Sequence, residues 1–246
     1  MRKVRTEQLL LISLALFLSA FVLPSCDDCK LPKCAKCGLS ERIDISGKVL
    51  TLTTPPNPVA GATVGLVNGS RVTTSGEDGR WSLEGVPDTG VDPWIKITAE
   101  GIPDAYNAFP LSLGFDEYDL QVMENSSYEF LTAGYDPATR CLIFGVAVGF
   151  VSFDYPQETQ GIGGVSVGVT PDTLEVKYLS EGGLPDPTLT ETSPSGVFYV
   201  VVPDVNTVSR VSFTGTKPGS AFVSGDNPTW PNAFVVAGLV DFNFTP

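Results

Sequence analysis

Four of the five cysteines lie within one short stretch near the start of the chain, CDDCKLPKCAKC at residues 26–37, and the fifth is Cys141. The stretch contains two CxxC pairs separated by four residues. Four thiolates at such a spacing can hold a metal ion. Disulfides and free or exchanging thiols are the other two states open to these cysteines. The compartment decides among them, because disulfides persist only where conditions are oxidising.

The chain has no histidine. Histidine is the usual general base and the commonest metal ligand, and the Ser–His–Asp and Cys–His nucleophile systems depend on it. Carboxylate pairs such as Asp116 and Glu117 remain as acids and bases, but they stand in acidic, turn-like sequence that is typical of a solvated surface. The sequence therefore predicts a protein that is not an enzyme and that uses no cofactor.

The first 25 residues have the pattern of an export signal. Three basic residues stand within the first five, and the apolar run LLLISLALFLSAFVL follows them. The run ends in LPSC at residues 23–26, which resembles the lipobox of bacterial lipoproteins. That resemblance implies that Cys26 is lipidated and becomes the mature N-terminus. We therefore expect an exported protein of the bacterial cell envelope, lipid-anchored to a membrane at its outer surface or periplasmic face.

Export and lipidation change the expectation for the remaining thiols. If Cys26 carries lipid, an even number of cysteines is left in an oxidising compartment, and disulfides are their expected state. The cysteines concerned are Cys29, Cys34, Cys37 and Cys141. Four cysteines allow three pairings, and nothing in the sequence selects one. A metal site and exchanging thiols stay open as alternatives.

The chain is strongly acidic, with a formal net charge of −13. Removal of residues 1–25, which hold three basic groups and one acidic group, would change this charge to −15. Such a surface repels phosphate backbones and anionic lipid headgroups. We therefore expect no nucleic-acid partner, and we expect contact with the membrane to come from the lipid anchor.

The sequence after the cysteine-rich stretch contains two similar halves. ISGKV at residues 45–49 corresponds to IFGVA at 143–147, and VAGATVGLV corresponds to IGGVSVGVT. Further on, DGRWSLEGVP corresponds to SGVFYVVVP and WIKIT to RVSFT, and the triplet NAF occurs at 107–109 and again at 232–234. The order of the blocks is the same in both halves, which indicates a structural unit that occurs twice.

The blocks alternate apolar and polar residues over five to eight positions and are bounded by Gly, Pro, Asp or Asn, as half-buried strands are. Many short strands with almost no helical periodicity predict an all-β fold of two tandem β-sandwiches. The predicted order begins with a lipoprotein signal peptide (residues 1–25) and a cysteine-rich tether (26–41). A first sandwich (42–124), a linker with a short helix (125–139) and a second sandwich (140–246) follow.

The first half, with GKV, PVAGATVGLV and TSGEDGRWSLEGVP in order, resembles the carboxypeptidase regulatory-like domain, which is a transthyretin-like (prealbumin-like) β-sandwich. The second half is similar to it, with Val146 in place of Lys48. The resemblance implies seven-stranded sandwiches that serve as spacers, adhesive modules or accessory domains on exported proteins. The enzymes among related sandwiches depend on histidine, so the resemblance implies no activity here, and a fold alone does not carry one.

Three aromatic residues are candidates for ligand binding. Trp230 lies in a segment that is nine residues longer in the second half than in the first, and extended loops commonly carry binding sites. Its indole could stack on a sugar ring; the structural alternative is a Trp that folds over its own loop. Trp94 is out of phase with Ile95 and Ile97, which predicts that it faces solvent. Tyr106 lies in the equivalent segment of the first half.

The sequence favours a non-enzymatic cell-envelope lipoprotein that acts as a structural spacer or a protein-interaction module. The alternative is a carbohydrate-binding accessory protein that uses the loop around Trp230. The partner would be an envelope protein in the first case and a glycan in the second. A thiol or metal redox protein built on the cysteine-rich stretch ranks below both.

Overall fold

The computed structural model describes residues 42–152, 154, 157–241, 243 and 244. The predicted signal peptide and tether lie outside the described residues, and so do four of the cysteines, Cys26, Cys29, Cys34 and Cys37. Almost all of the regular structure in the described part is β-strand. This confirms the predicted all-β sandwich class. The division into two tandem domains, and their assignment to the transthyretin-like family, remain predictions.

Seven strands form the first half of the described chain. They are β1 (Arg42–Thr51), β2 (Thr63–Leu66), β3 (Val72–Thr74), β4 (Arg80–Pro87), β5 (Trp94–Thr98), β6 (Asp104–Ala108) and β7 (Leu120–Val122). A single helix, α1 (Asn125–Leu131), follows in the linker. In β4 the side chains alternate between buried and exposed, with Trp81 and Leu83 in the core, as the sequence pattern predicts.

Nine strands form the second half. They are β8 (Cys141–Ser152), β9 (Glu158–Gly161), β10 (Ser166–Thr170), β11 (Lys177–Tyr178), β12 (Val197–Val202), β13 (Arg210–Thr216), β14 (Phe222–Ser224), β15 (Asp226–Pro228) and β16 (Ala233–Asp241). The main pairings repeat those of the first half. β1 pairs antiparallel with β4 and parallel with β7, and β8 pairs in the same way with β12 and β16. β5 lies between β2 and β6, and β13 lies between β10 and β15.

These pairings correct one of the sequence matches. Asn107 of β6 lies opposite Ile95, and Asn227 of β15 lies opposite Val211 at the corresponding place. Asn227 is therefore the counterpart of Asn107. The second NAF triplet instead leads into β16, and three matching letters were too few to establish equivalence.

One long sheet contains strands from both halves, in the order β11-β12-β8-β16-β6-β5-β2-β3. We call it the central sheet. Strand β16 connects the two halves within this sheet, because it runs parallel to β8 on one side and parallel to β6 on the other. Residues 233–236 of β16 pair with residues 104–107 of β6. A strand of the second half thus covers the sheet edge of the first half.

The central sheet separates two hydrophobic cores. The first core lies against the three-stranded sheet β4-β1-β7, and the second lies against β10-β13-β15. Successive residues of β16 enter different cores, since Phe234 belongs to the first and Val235 to the second. Strands buried on both faces are expected to be apolar at nearly every position, and VFYVVV of β12 is such a run.

Buried polar side chains fix the connections around this sheet. The Asn107 side-chain amide, which is 2% exposed, donates to the Gln121 carbonyl at 3.0 Å and accepts from the Gln121 N–H at 2.8 Å. It therefore joins β6 to β7 across the first sandwich. Arg140, also 2% exposed, binds the Glu129 carboxylate at 2.6 Å and lies over the Tyr128 ring. Glu129 of α1 thus ties the linker helix to the residue that precedes β8.

Candidate functional site

The structure brings together the three aromatic residues that the sequence nominates. Trp94 lies at the start of β5, Tyr106 lies in β6, and Trp230 lies just before β16. The Trp230 ring stacks on the Tyr106 ring with centroids 3.9 Å apart and planes 8° apart. The Trp94 ring meets Trp230 at 5.6 Å and 63°, in an edge-on arrangement. We call these three residues the aromatic cluster.

The pairing of β5 with β6 explains why the cluster forms. Lys96 lies opposite Tyr106, so Trp94, two residues earlier on β5, projects from the same face of the central sheet. Ile95 and Ile97 project from the other face into the first core. Trp94 is half-buried and packs against the second core. The prediction that it faces solvent is therefore only partly right, because Trp230 covers this face of the sheet.

One ion pair stands beside the cluster. Lys96 Nζ lies 2.6 Å from Asp104 Oδ2 and 5.7 Å from the centroid of the Tyr106 ring. The hydrogen bond to the Asp104 carboxylate raises the pKa of Lys96 above its ordinary value. Burial raises the pKa of the Tyr106 phenol, whose side chain is 7% exposed. The site thus contains a positive charge, a negative charge and apolar ring surface within a short distance.

The longer segment that carries Trp230 is not an open loop. It contains β14, which pairs with β16, and β15, which pairs with β13 as β6 pairs with β5. On one side of Trp230 the Thr229 N–H donates to the Ser209 carbonyl at 3.1 Å, and on the other the Asn232 N–H donates to the Arg140 carbonyl at 2.7 Å. The backbone is therefore held on both sides of the indole.

Cys141 is fully buried next to the Trp230 backbone, and within the described part of the chain it forms no disulfide. Burial raises its pKa to about 12, although a hydrogen bond with the Trp230 backbone opposes the shift. A neutral, inaccessible thiol is neither a nucleophile nor a metal ligand at neutral pH. Its predicted partners lie outside the described residues, so a disulfide to one of them stays a prediction. Such a bond would require the tether to reach a core position.

A cleft of about 640 Å³ lies between the two halves. It is bordered by the residues that follow β1, by α1, by β8 and β12, and by the turn after β11. We call it the inter-repeat cleft. Phe130 and Leu184 at this cleft are exposed, although both are large and apolar. The sequence analysis did not predict this cleft. The one local feature that points to it is a lone leucine, Leu184, in the polar turn SEGGLPD.

Among the described residues, no group of three or more Cys, Asp or Glu side chains is arranged to hold a metal ion. No helix in the described part of the chain is long and apolar enough to cross a membrane.

Comparisons with known proteins give low similarity. No protein-family model matches the chain, and no curated protein matches it. Among solved structures, it is similar to GBS52, a minor pilin of Streptococcus agalactiae, at 10% identity and a TM-score of 0.28, over 83% of this chain and 97% of that one. It is similar to the shaft pilin SpaA of Lactobacillus rhamnosus GG at 9% identity and a TM-score of 0.25, over 83% and 100%.

A third structure, the Bacillus anthracis TIE protein, is 11% identical with a TM-score of 0.25, over 82% of this chain and 35% of that one. All three TM-scores are below 0.5, so these likenesses do not bear on function.

Proposed function

We propose that this protein is a non-enzymatic cell-envelope lipoprotein that acts as a structural spacer or a protein-interaction module. The observation that carries the proposal is the central sheet, which runs through both halves of the described chain. A spacer must keep its two ends at a fixed separation. Backbone hydrogen bonds from one strand, β16, to both β6 and β8 give the described part of the chain that property.

Side-chain packing also supports a rigid spacer. Phe234 and Val235 are both fully buried, and they lie in different cores. A rotation of one half against the other would have to pull one of them out of its core. The linker is also fixed, because the Arg140 guanidinium donates to the Thr132 and Tyr135 carbonyls as well as to the Glu129 carboxylate.

The chemistry of the chain supports a non-enzymatic role. There is no histidine in the sequence, and the Cys141 thiol is neutral and buried. Recognition of a partner by surface contact needs neither of these groups.

Anchoring follows from the lipobox-like LPSC. Acyl chains on Cys26 would hold the acidic protein at a membrane whose anionic headgroups its own surface repels. Mass spectrometry of the mature N-terminus should find a lipid-modified Cys26, and Cys26→Ala should release the protein from membrane fractions. An unmodified mature protein that begins at another residue would overturn the lipoprotein assignment.

The spacer role is tested by a distance measurement. Spin labels on unnatural residues at Val72, in β3, and Glu175, just before β11, would report the span of the central sheet, because both side chains are exposed and lie near its opposite edges. We expect a single narrow distance distribution in the full mature chain. A broad or two-peaked distribution would contradict a rigid spacer.

Carbohydrate binding is the second candidate, and the aromatic cluster favours it. Trp94 and Trp230 are only half-buried, so part of each indole is accessible beside the Lys96–Asp104 ion pair. Against it, one face of the Trp230 indole is already occupied by Tyr106. A sugar stacked on Trp230 would have to use the other face.

Glycan-array binding of the full chain, with Trp230→Ala and Trp230→Phe in parallel, separates these two roles. If Trp230 is structural, no glycan is retained, and Trp230→Ala lowers the free energy of unfolding by up to about 3–5 kcal/mol, as for a buried Trp. Trp230→Phe keeps much of the stacking and should cost less. Retention that Trp230→Ala abolishes without a loss of stability would establish the glycan role.

A further inference from the structure

We propose that the inter-repeat cleft binds a peptide segment of a partner protein, one that presents apolar side chains next to a lysine or arginine. This inference rests on the proposed role as an interaction module and names the chemistry of the partner. Four features of the cleft carry it: its size, its exposed apolar rim, its charge and its hydroxyl groups.

The cleft has the size and floor of a binding site. Its volume of about 640 Å³ lies within the usual range for ligand sites, which is roughly 300–1,000 Å³. Phe144 and Val146 of β8 and Val197 of β12 form part of its lining. These side chains point to the face of the central sheet that holds the first core. The cleft is therefore a place where that core opens to the surface.

Two large apolar side chains stand exposed at the cleft. Phe130 of α1 is 62% exposed and Leu184 is 63% exposed. They come from segments more than fifty residues apart, the linker helix and the turn after β11. Exposed apolar groups gathered around a concavity mark interaction sites, and an aromatic ring at such a place is a common energetic anchor.

The negative charge of the cleft favours a partner with basic side chains. Among the described residues that line the cleft, Glu124 and Glu181 are charged and none is a lysine or an arginine. Both glutamates are exposed, and the whole chain carries a net charge of −13. Fatty acids and anionic phospholipids are repelled by such a site, whereas a lysine or arginine beside an apolar anchor is attracted.

Hydroxyl groups favour a peptide over an acyl chain. Thr54, Ser126 and Ser127 line the cleft together with the apolar groups. A peptide backbone can exchange hydrogen bonds with these hydroxyls, and an acyl chain would leave them without partners when it covered them, which is costly. The same reasoning separates a peptide from any purely apolar occupant.

This chain has one basic and partly apolar segment of its own, KLPKCAK at residues 30–36. The described chain begins at Arg42, at the start of β1, whereas the cleft adjoins the residues that follow the end of β1. Ten strand residues span about 30 Å. The length of β1 therefore separates the start of the described chain from the cleft, and a partner in trans is the proposed occupant.

The test is a selection of twelve-residue random peptides on the full mature lipoprotein in detergent. We expect enriched peptides to combine apolar side chains with lysine or arginine. Phe130→Ser and Leu184→Ser should each weaken their binding about tenfold. The matched controls Val72→Ser and Val91→Ser, at side chains 67% and 68% exposed but away from the cleft, should leave binding unchanged. Glu124→Gln with Glu181→Gln should remove the preference for basic peptides.

Several results would overturn the proposal. These are the absence of enriched peptides, enrichment of acidic peptides, and binding that the cleft variants do not change. Uptake of phosphatidylglycerol vesicles that Phe130→Ser abolishes would make the cleft a lipid site. Peptide binding that appears only after deletion of residues 27–40 would make the tether its occupant. The lipid analysis and the spin-label distances do not involve cleft binding, so the spacer role can stand if the cleft proposal fails.

Discussion

Replacing Phe234 or Val235 with alanine tests whether the two halves of this protein unfold together. The two residues are adjacent on β16 and both are fully buried, but Phe234 lies in the first core and Val235 in the second. If the central sheet couples the halves, either change should destabilise one common folded state. If the halves are independent sandwiches, each change should destabilise a different one.

The size of the two effects follows from burial. The Phe234 ring packs 6.1 Å from the Phe144 ring, centroid to centroid, and truncation of a buried Phe costs about 3–5 kcal/mol. Val235→Ala removes two buried carbons at about 0.8 kcal/mol each, plus a small cavity term, or about 2 kcal/mol in all. For a unit of this length, one kcal/mol corresponds to about 2–4 °C in Tm. The expected decreases are roughly 6–20 °C for Phe234→Ala and 4–8 °C for Val235→Ala.

Differential scanning calorimetry counts the transitions, and hydrogen exchange of peptides from β4 and β13 reports on the two cores separately. We expect one transition, which both variants lower, with protection lost in β4 and β13 together. Val72→Ala is the control, because its side chain is 67% exposed and its effect should stay within about 0.5 kcal/mol. Two transitions, one moved only by Phe234→Ala and the other only by Val235→Ala, would refute the coupling.

Three further predictions concern buried polar groups. Arg140→Ala should lower the free energy of unfolding, measured in urea, by about 2–4 kcal/mol. The change removes the ion pair with Glu129 and leaves the Thr132 and Tyr135 carbonyls without their hydrogen-bond donor. A loss under 1 kcal/mol would contradict this. Cys141 should resist iodoacetamide in the native protein at pH 8, because burial raises its thiol pKa to about 12, and in guanidinium it should react only after reduction if it forms the predicted disulfide; reaction without reductant would contradict that disulfide. Burial alone would raise the pKa of Asp241, but hydrogen bonds from the Ser220 hydroxyl and backbone N–H groups outweigh it and the pKa is lowered. Its stabilisation should therefore be complete above pH 3.8 and lost as the pH falls further, and Asp241→Asn should remove this part of the acid dependence.

The strands could be predicted because their signal is local. In β4 the buried Trp81 and Leu83 alternate with exposed polar residues. This period of two can be recognised from consecutive residues of the sequence alone. The same reasoning fails for β16, since a strand buried on both faces shows no alternation. Its partners depend on which sheet edges remain free after the other strands pair, and no pattern within β16 encodes that.

In the candidate site, too, the local features could be predicted from the sequence and the contacts between distant residues could not. Trp94, Tyr106 and Trp230 could be nominated singly, from phase and from segment length. Their contact arises because the segment before β16 passes over the face of β5 and β6, which is a relation between residues more than a hundred positions apart. The inter-repeat cleft depends entirely on such relations. Phe130 does not stand out in its own sequence context, and Leu184 stands out only as a lone leucine in a polar turn.

The parallel pairing of β16 with β6 also has a consequence for the order of folding during synthesis. β16 follows β6 by about 125 residues, so a chain that is synthesised N-terminus first presents β6 with an open edge until β16 has been made. An unpaired edge is a template for wrong strand pairing between molecules, and closing a loop of this length is slow compared with forming a local hairpin. A chaperone that shields a sheet edge would therefore matter most in the interval before β16 is available for pairing.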